Sequence, residues 1–426
     1  MNKEKTNKLA WRRLDNSAKI FPMSTGEKYS TVFRLSAILK KDVRPKTLQK
    51  AVIETLEKYD AFKVRMKAGL FWYYLEQNNK KPIVEEERDY PCKYINPRRN
   101  RGYLFKVTYF KNKINIDIFH SLTDGNGGTI FFREIIYTYL EMCYSEELKQ
   151  ENRKVRKIEY DIEDSYIKNY DKKIKSTTSN SRAYELRGKK IKLGAISAIH
   201  QIIDSNQLKE ECAKYDITVT QYLTAVLMYA IYSENYRGKK PLKVCIPVNL
   251  KKYYPSKTIS NFFSFIMIEG NKKQDNFDDI ISLVKKEFKE KLAEEEILKT
   301  MSANVKLGNH ILIKMIPLIL KNIIVRLSYL EIRKHSTITY SNTGRVGIMG
   351  EYQKYIDYFM VLISPDPVEK IKCSSCTFED KIVFTFTSIL NNNRIEKAFY
   401  QFLTNKGIDV KIESNGVLDD ISTENK

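Results

Sequence analysis

The chain has 426 residues, 42% of them hydrophobic, with 28 Tyr and 20 Phe. That is enough for two or three domains with large cores, and it excludes a disordered polar chain. The formal net charge of +22, from 74 Lys+Arg against 52 Asp+Glu, suits anionic partners such as phosphates, an acidic protein or an anionic membrane surface, although lysines spread over a solvated surface give the same total. Nucleic acid has no support beyond that charge: Arg, the usual reader of base edges, is scarce beside Lys, and no nucleic-acid-binding module is present.

Met1 to Ala10 is polar, without the apolar stretch of a signal peptide, so the expected compartment is the cytoplasm, with membrane association left open. Trp11 to Met23 reads as an ordered entry segment anchored by Trp11, Ile20 and Phe21. Tyr29 to Leu39 alternates as a strand does. Pro45 to Tyr59 places Leu48, Val52, Ile53, Leu56 and Tyr59 at helical spacing behind a proline. Leu70 to Leu75 reads as an aromatic strand. Phe105 to Phe110 and Ile114 to His120 flank a hairpin turn at Lys111-Asn112-Lys113. A helix from Ile130 to Tyr144 is expected after Gly127-Gly128.

From Lys149 to Lys190 the chain turns charged and polar, with Ser176 to Ser181 (STTSNS) as its loosest part, and reads as a crossover between two halves. The second half restarts with a strand from Ala195 to Ile203. Ser205 is then expected to cap a short helix, and Thr218 another running from Gln221 to Tyr236. Strands follow at Leu242 to Val248 and Phe262 to Glu269, then one long charged helix over Asn276 to Lys299. After the apolar stretch from Ile311 to Leu330 come strands near Thr337 to Tyr340, Tyr355 to Ile363, Ile371 to Phe378 and Ile382 to Ile389. A helix from Arg394 to Thr404 and a strand from Asp409 to Ile412 complete the pattern. Without regular strand–helix alternation, the expectation is α+β: two subdomains, each a mostly antiparallel sheet with helices on one face. The division is 1–165, a linker 166–190, 191–413, and a disordered tail 414–426.

Six cysteines are present. The one close pair, Cys373-Ser-Ser-Cys376, lies in a strand-like run, where residues three apart face opposite ways, so neither a disulfide nor a metal site is expected. His120-Ser121-Leu122-Thr123-Asp124-Gly125 stands out because it delivers one of only four histidines to the end of an alternating strand. Imidazole titrates closest to neutrality, which suits it to take a proton from a hydroxyl or amine. His200, His310 and His335 have no motif around them and read as structural. Residues 310–330 are strongly apolar but carry Lys314, Pro317, Lys321 and Arg326, too many interruptions for a spanning helix. They read either as a helix packed into the core of the second subdomain or as a surface helix beside an anionic membrane or the mouth of a lipid-binding tunnel.

His120 to Gly125 resembles the HxxxDG motif of the coenzyme A-dependent acyltransferase superfamily, which includes chloramphenicol acetyltransferase, the plant BAHD enzymes, carnitine acyltransferases and condensation domains of peptide synthetases. Val244 to Lys252 (VCIPVNLKK) with Ser260-Asn261-Phe262, Tyr340-Ser341-Asn342-Thr343-Gly344, and Leu14 to Pro22 are similar to segments of bacterial alcohol acetyltransferase-like members, in the same order. The resemblance implies two chloramphenicol-acetyltransferase-like subdomains with a tunnel between them. His120 would be the general base, taking the acceptor's proton as that atom attacks a coenzyme A thioester. Asp124 would be structural and paired with a cation, and Gly125 would let the backbone turn. The donor would be acyl-CoA as co-substrate, without a metal, and the acceptor an alcohol, small or lipidic. An acidic acyl carrier protein as donor, and a non-catalytic or peripheral-membrane binding protein on the same fold, are the alternatives.

Three departures are visible, the first being that the DFGWG segment of the BAHD enzymes is absent. The residue before His120 is Phe119, where condensation domains carry a second histidine. The arginine expected opposite Asp124 is Lys251, so Lys251, Arg345 or Arg34 would have to hold the carboxylate. Ser341 and Asn342 are candidates for stabilising the oxyanion.

Overall fold

The computed structural model describes residues 11–148, 163–174, 181–271 and 274–418. The flexible run expected at Ser176 to Ser181 lies almost wholly outside them, as does most of the expected tail.

The first half supplies β1 (Trp11–Arg13), α1 (Phe21–Ser24), β2 (Val32–Leu39), α2 (Pro45–Lys58), β3 (Val64–Ala68), β4 (Tyr73–Gln77), β5 (Val84–Glu86), β6 (Phe105–Phe110), β7 (Lys113–Phe119) and α3 (Gly125–Cys143). The second supplies α4 (Ser165–Asn169), β8 (Ser197–Asp204), α5 (Ser205–Lys214), α6 (Val219–Glu234), β9 (Leu242–Asn249), β10 (Phe263–Gly270), α7 (Phe277–Lys291), α8 (Glu294–Asn309), α9 (Ile311–Met315) and α10 (Leu318–Arg333). It ends with β11 (Ile338–Arg345), β12 (Ile356–Ile363), β13 (Ile371–Phe378), β14 (Lys381–Ser388), α11 (Arg394–Asn405) and β15 (Val410–Ser414).

A five-stranded sheet runs β12-β2-β7-β6-β5, a seven-stranded sheet β10-β9-β11-β13-β14-β8-β15, and a three-stranded sheet β1-β4-β3. Among the described residues only β5–β6, β9–β11 and β11–β13 are parallel pairs. The protein is thus α+β with two large, mostly antiparallel sheets. The halves are stitched together by β12, which leaves the second half to pair antiparallel with β2 of the first. Two apolar cores result, and the first includes Phe359, Val361 and Phe378 from the second half.

β2 is buried along its whole length, so its polar side chains need partners inside. Arg34 lies opposite Asp117 on β7 and forks onto its carboxylate, with Nε to Oδ1 at 2.9 Å and Nη2 to Oδ2 at 2.7 Å. Ser36 Oγ reaches Asn115 Oδ1 at 2.7 Å. These matched pairs fix the register of the strand that ends at His120.

Several expected elements shift for local reasons. α3 starts at Gly125, not Ile130, because Asp124 caps it. α5 is capped by Asp204, one residue before Ser205, whereas Thr218 and Gln221 form a complete capping box on α6. The aromatic run at Leu70 is the tip of the β3–β4 hairpin, closed by Gly69 N donating to Trp72 O at 2.9 Å. The long charged helix is two helices, α7 and α8, and the apolar stretch breaks at Pro317 into α9 and α10. Cys373 belongs to one core and Cys376 to the other, both as free thiols.

Candidate active site

His120 sits one residue beyond β7, and its backbone N–H donates to Thr31 O at 3.0 Å, just before β2. Leu122 N bonds back to Phe119 O at 2.9 Å, closing a tight turn into α3. The first turn of α3, Gly-Asn-Gly-Gly, is weakly helical by composition, and packing explains two of its glycines. A Cβ on Gly127 would strike Thr123 Oγ1 and come within 2.5 Å of Ile259 O, and one on Gly128 would lie 3.0 Å from Phe33 and Ile118. At Gly125 the only neighbour would be the Thr343 methyl at an ordinary 3.6 Å. The space that must stay open is therefore at Gly127 and Gly128, whereas Gly125 marks where the end of β11 meets the helix.

Asp124 uses both carboxylate oxygens on backbone donors. Oδ1 accepts from Gly127 N at 2.9 Å and Oδ2 from Phe262 N at 3.0 Å. It thus caps α3 and ties the first half to the segment entering β10. Thr123 Oγ1 adds a parallel tie to Ile259 O at 2.6 Å. Among the described residues no ion pair joins Asp124 to a cation, contrary to expectation. Arg345 pairs with Glu379 at 3.4 Å on the surface, Arg34 is committed to Asp117 and Glu87, and Lys251 Nζ donates to Thr258 O. Lys251 is near enough to feel Asp124: burial lowers its pKa and the carboxylate charge partly offsets that. One N–H from the first turn of α3 and one from the segment entering β10 satisfy the carboxylate in place of a guanidinium.

The partner of His120 is Asn261, quoted in the sequence motif but not assigned a role there. Asn261 Nδ2 donates to Asp15 Oδ2 at 3.0 Å and to His120 O at 3.1 Å, and its backbone N donates to Asp15 Oδ2 at 3.2 Å. Both Nδ2 partners are acceptors, which fixes the amide's orientation and turns Oδ1 toward His120 Nδ1 at 3.0 Å. An oxygen can only accept, so Nδ1 carries the proton and Nε2 is left with its lone pair. Asp15 in turn accepts from Ala18 N at 2.8 Å, and burial pushes its carboxyl up to about 7.

Aromatic rings enclose the imidazole. Phe21 stacks on it at 4.6 Å between centroids, and Phe33 and Phe263 approach at 5.2 and 5.4 Å. Burial lowers the His120 pKa from its ordinary value, against the opposing pull of Asp124 and the Asn261 hydrogen bond. Neutral, partly exposed and oriented, His120 is equipped to accept a proton at Nε2.

Thr343 brings the end of β11 beside α3. Asn342 is held by its own contacts, Nδ2 to Thr220 Oγ1 at 2.8 Å and Oδ1 from Gly344 N at 2.8 Å, and Ser341 is half-buried on the same strand.

No family model matches the sequence, and no curated protein matches it. Solved structures do match the fold. TRI3 trichothecene 15-O-acetyltransferase from Fusarium sporotrichioides superposes with a TM-score of 0.61 at 8% identity, over 92% of this chain and 95% of that one. TRI101 of F. graminearum, complexed with coenzyme A and deoxynivalenol, gives 0.61 at 11% identity over 91% and 96%. The starter condensation domain of rhizomide synthetase, in complex with C8-CoA and Leu-SNAC, gives 0.58 at 10% identity over 93% and 94%. The chain therefore has the fold shared by coenzyme A-dependent acyltransferases and condensation domains.

Proposed function

We propose that this protein is an acyltransferase that moves an acyl group, acetyl being the simplest, from a coenzyme A thioester to an alcohol, with His120 as general base. The observation that carries this reading is the Asp15–Asn261–His120 chain, which leaves Nε2 bare at the mouth of a strand-to-helix turn. As the acceptor oxygen attacks the thioester carbonyl, its proton passes to Nε2. The C–S bond then breaks, and the imidazolium returns the proton to the departing thiolate. A positioned base of this kind supplies about 10²–10⁴-fold in rate. Asp124 contributes by holding the two halves in register around the histidine. Of the two oxyanion candidates we favour Ser341, because the amide of Asn342 is engaged with Thr220 and Gly344.

Purified protein given acetyl-CoA and a panel of alcohols should release free thiol in an acceptor-dependent way, and His120→Ala should abolish the release. Equal turnover by the variant would sink the assignment. The net charge of +22 favours one second reading, an acidic acyl carrier protein as donor. Salt-sensitive binding to such a carrier, together with no turnover of free acyl-CoA, would select it.

A further inference from the structure

α10 carries its amphipathic pattern inside out. Ile319, Leu320, Ile323, Ile324 and Leu327 fall within an arc of about 140° at 100° per residue, and all five are exposed, Ile319 at 77% and Leu327 at 65%. Three polar residues of the same helix reach the protein instead. The Lys321 ammonium is buried, donates to Phe71 O at 2.8 Å and lies 3.5 Å from the centre of the Trp72 ring. Asn322 Nδ2 reaches Tyr73 Oη at 3.2 Å, and Arg326 Nε reaches Tyr29 Oη at 3.2 Å.

Both ends of the helix are fixed. Leu318 N donates to Leu70 O at 2.8 Å, and Arg333 pairs with Asp366 and Glu369. The apolar face is therefore held outward by the packing. Met315, exposed at 68%, and Leu70, at 72%, extend it onto α9 and the β3–β4 hairpin tip. Of the two sequence readings, core packing is thus the one this helix does not follow.

We infer that this face docks on an anionic lipid bilayer. Two observations single out that occupant. From Ile297 to Leu330 the sequence has no Asp or Glu, while Lys299, Lys306, Lys314, Lys321 and Arg326 punctuate it. Lys321 is buried and Lys299 is paired with Glu295 and Glu296, but Lys314 and Arg326 are exposed at the strip. An apolar strip bordered by exposed cations matches acyl chains beneath anionic headgroups. A second copy of the chain fits less well. A 16-residue helix is about 24 Å long, so a strip about 10 Å wide gives roughly 240 Å², against about 800 Å² per partner in a standard interface. A two-fold contact would also bring the same cations face to face.

α10 packs against α1, whose Phe21 stacks on His120. Docking would therefore set the histidine one helix layer from the bilayer, and, on the acyl-transfer reading above, would favour a lipid-soluble alcohol as acceptor.

The test is flotation of the full chain with vesicles of phosphatidylcholine alone or with 30% phosphatidylglycerol, which requires no turnover and so stands apart from the enzymatic reading. The partition onto anionic vesicles should exceed that onto neutral ones at least tenfold. Ile323→Asp/Leu327→Asp should remove at least tenfold of it, and Lys314→Gln/Arg326→Gln should remove its dependence on phosphatidylglycerol. Thermal melting of each variant checks that it is folded. The inference is overturned by absence of binding to both vesicles, by full binding of the folded Ile323→Asp/Leu327→Asp variant, or by light scattering that shows a dimer which this variant dissociates.

Discussion

Around His120 the protein buries polar groups, and along α10 it exposes apolar ones. At the histidine, Asp15, Asn261 and Asp124 are each more than nine-tenths buried, and their bonds close on one another and on backbone N–H groups from both halves. The cost of desolvating them is offset within the fold. On α10 nothing within the described residues covers five large aliphatic side chains. An interior that satisfies its polar atoms can hold a side chain in one tautomer and one direction, as chemistry demands. A surface that leaves aliphatic groups in water is suited to association. The first region should therefore be sensitive in rate and stability, and the second nearly silent in both.

Substitutions can break that contrast. The largest effect is expected at His120→Ala, a loss of about 10²–10⁴-fold in thiol release, with a stability loss of about 1–3 kcal/mol as the buried Asn261 Oδ1 loses its donor. Asn261→Ala should follow, with kcat down about 10–100-fold and little change in KM. It should also cost about 1–3 kcal/mol in denaturant unfolding, since Asp15 loses its side-chain donor and His120 its acceptor. Asp124→Ala removes the α3 cap and the link to Phe262, and should lower stability by about 1–2 kcal/mol.

Glu396 sharpens the comparison as a buried carboxyl that lacks such support. Its Oε2 has no hydrogen-bond partner, and burial pushes its pKa up to about 7. A raised folded-state pKa means that the native state binds more protons than the unfolded chain between the ordinary carboxylate range and about 7, so this group's contribution worsens as pH rises through that window. Glu396→Gln should accordingly raise the melting temperature at pH 8 by the equivalent of about 1 kcal/mol, and raise it much less at pH 5. At the silent end, Leu327→Asp should leave stability within about 0.5 kcal/mol, as for other exposed sites without partners.

The parts of the fold legible in sequence are those set by neighbours along the chain. β6 and β7 followed from alternation around Lys111-Asn112-Lys113, and the start of α6 from Thr218 three residues before Gln221. The break between α7 and α8 was not legible, because the charged pattern runs through Leu292 and Ala293 without a proline or glycine. The outward face of α10 was not legible either, since a 3.6-residue period is the same whether the apolar side faces core or solvent.

At the site, the run from His120 to Gly125 was visible as a motif, as was the Asn261 segment. What joins them was not, because the His120–Asn261 contact spans 141 residues and the Asn261–Asp15 contact 246. The cation sought for Asp124 was what the resemblance implied, whereas backbone donors, which sequence does not display, fill its coordination.

Asp15 and Asn261 hold His120 with its proton on Nδ1 and its lone pair on Nε2. With four histidines in the chain, ¹⁵N-histidine labelling and long-range ¹H–¹⁵N correlation at pH 8 report each ring's tautomer, and His120→Gln identifies the relevant signals. The expected result is the Nδ1–H tautomer for His120, shifting toward the Nε2–H form in Asn261→Ala. An Nε2–H tautomer in the wild-type protein would contradict it.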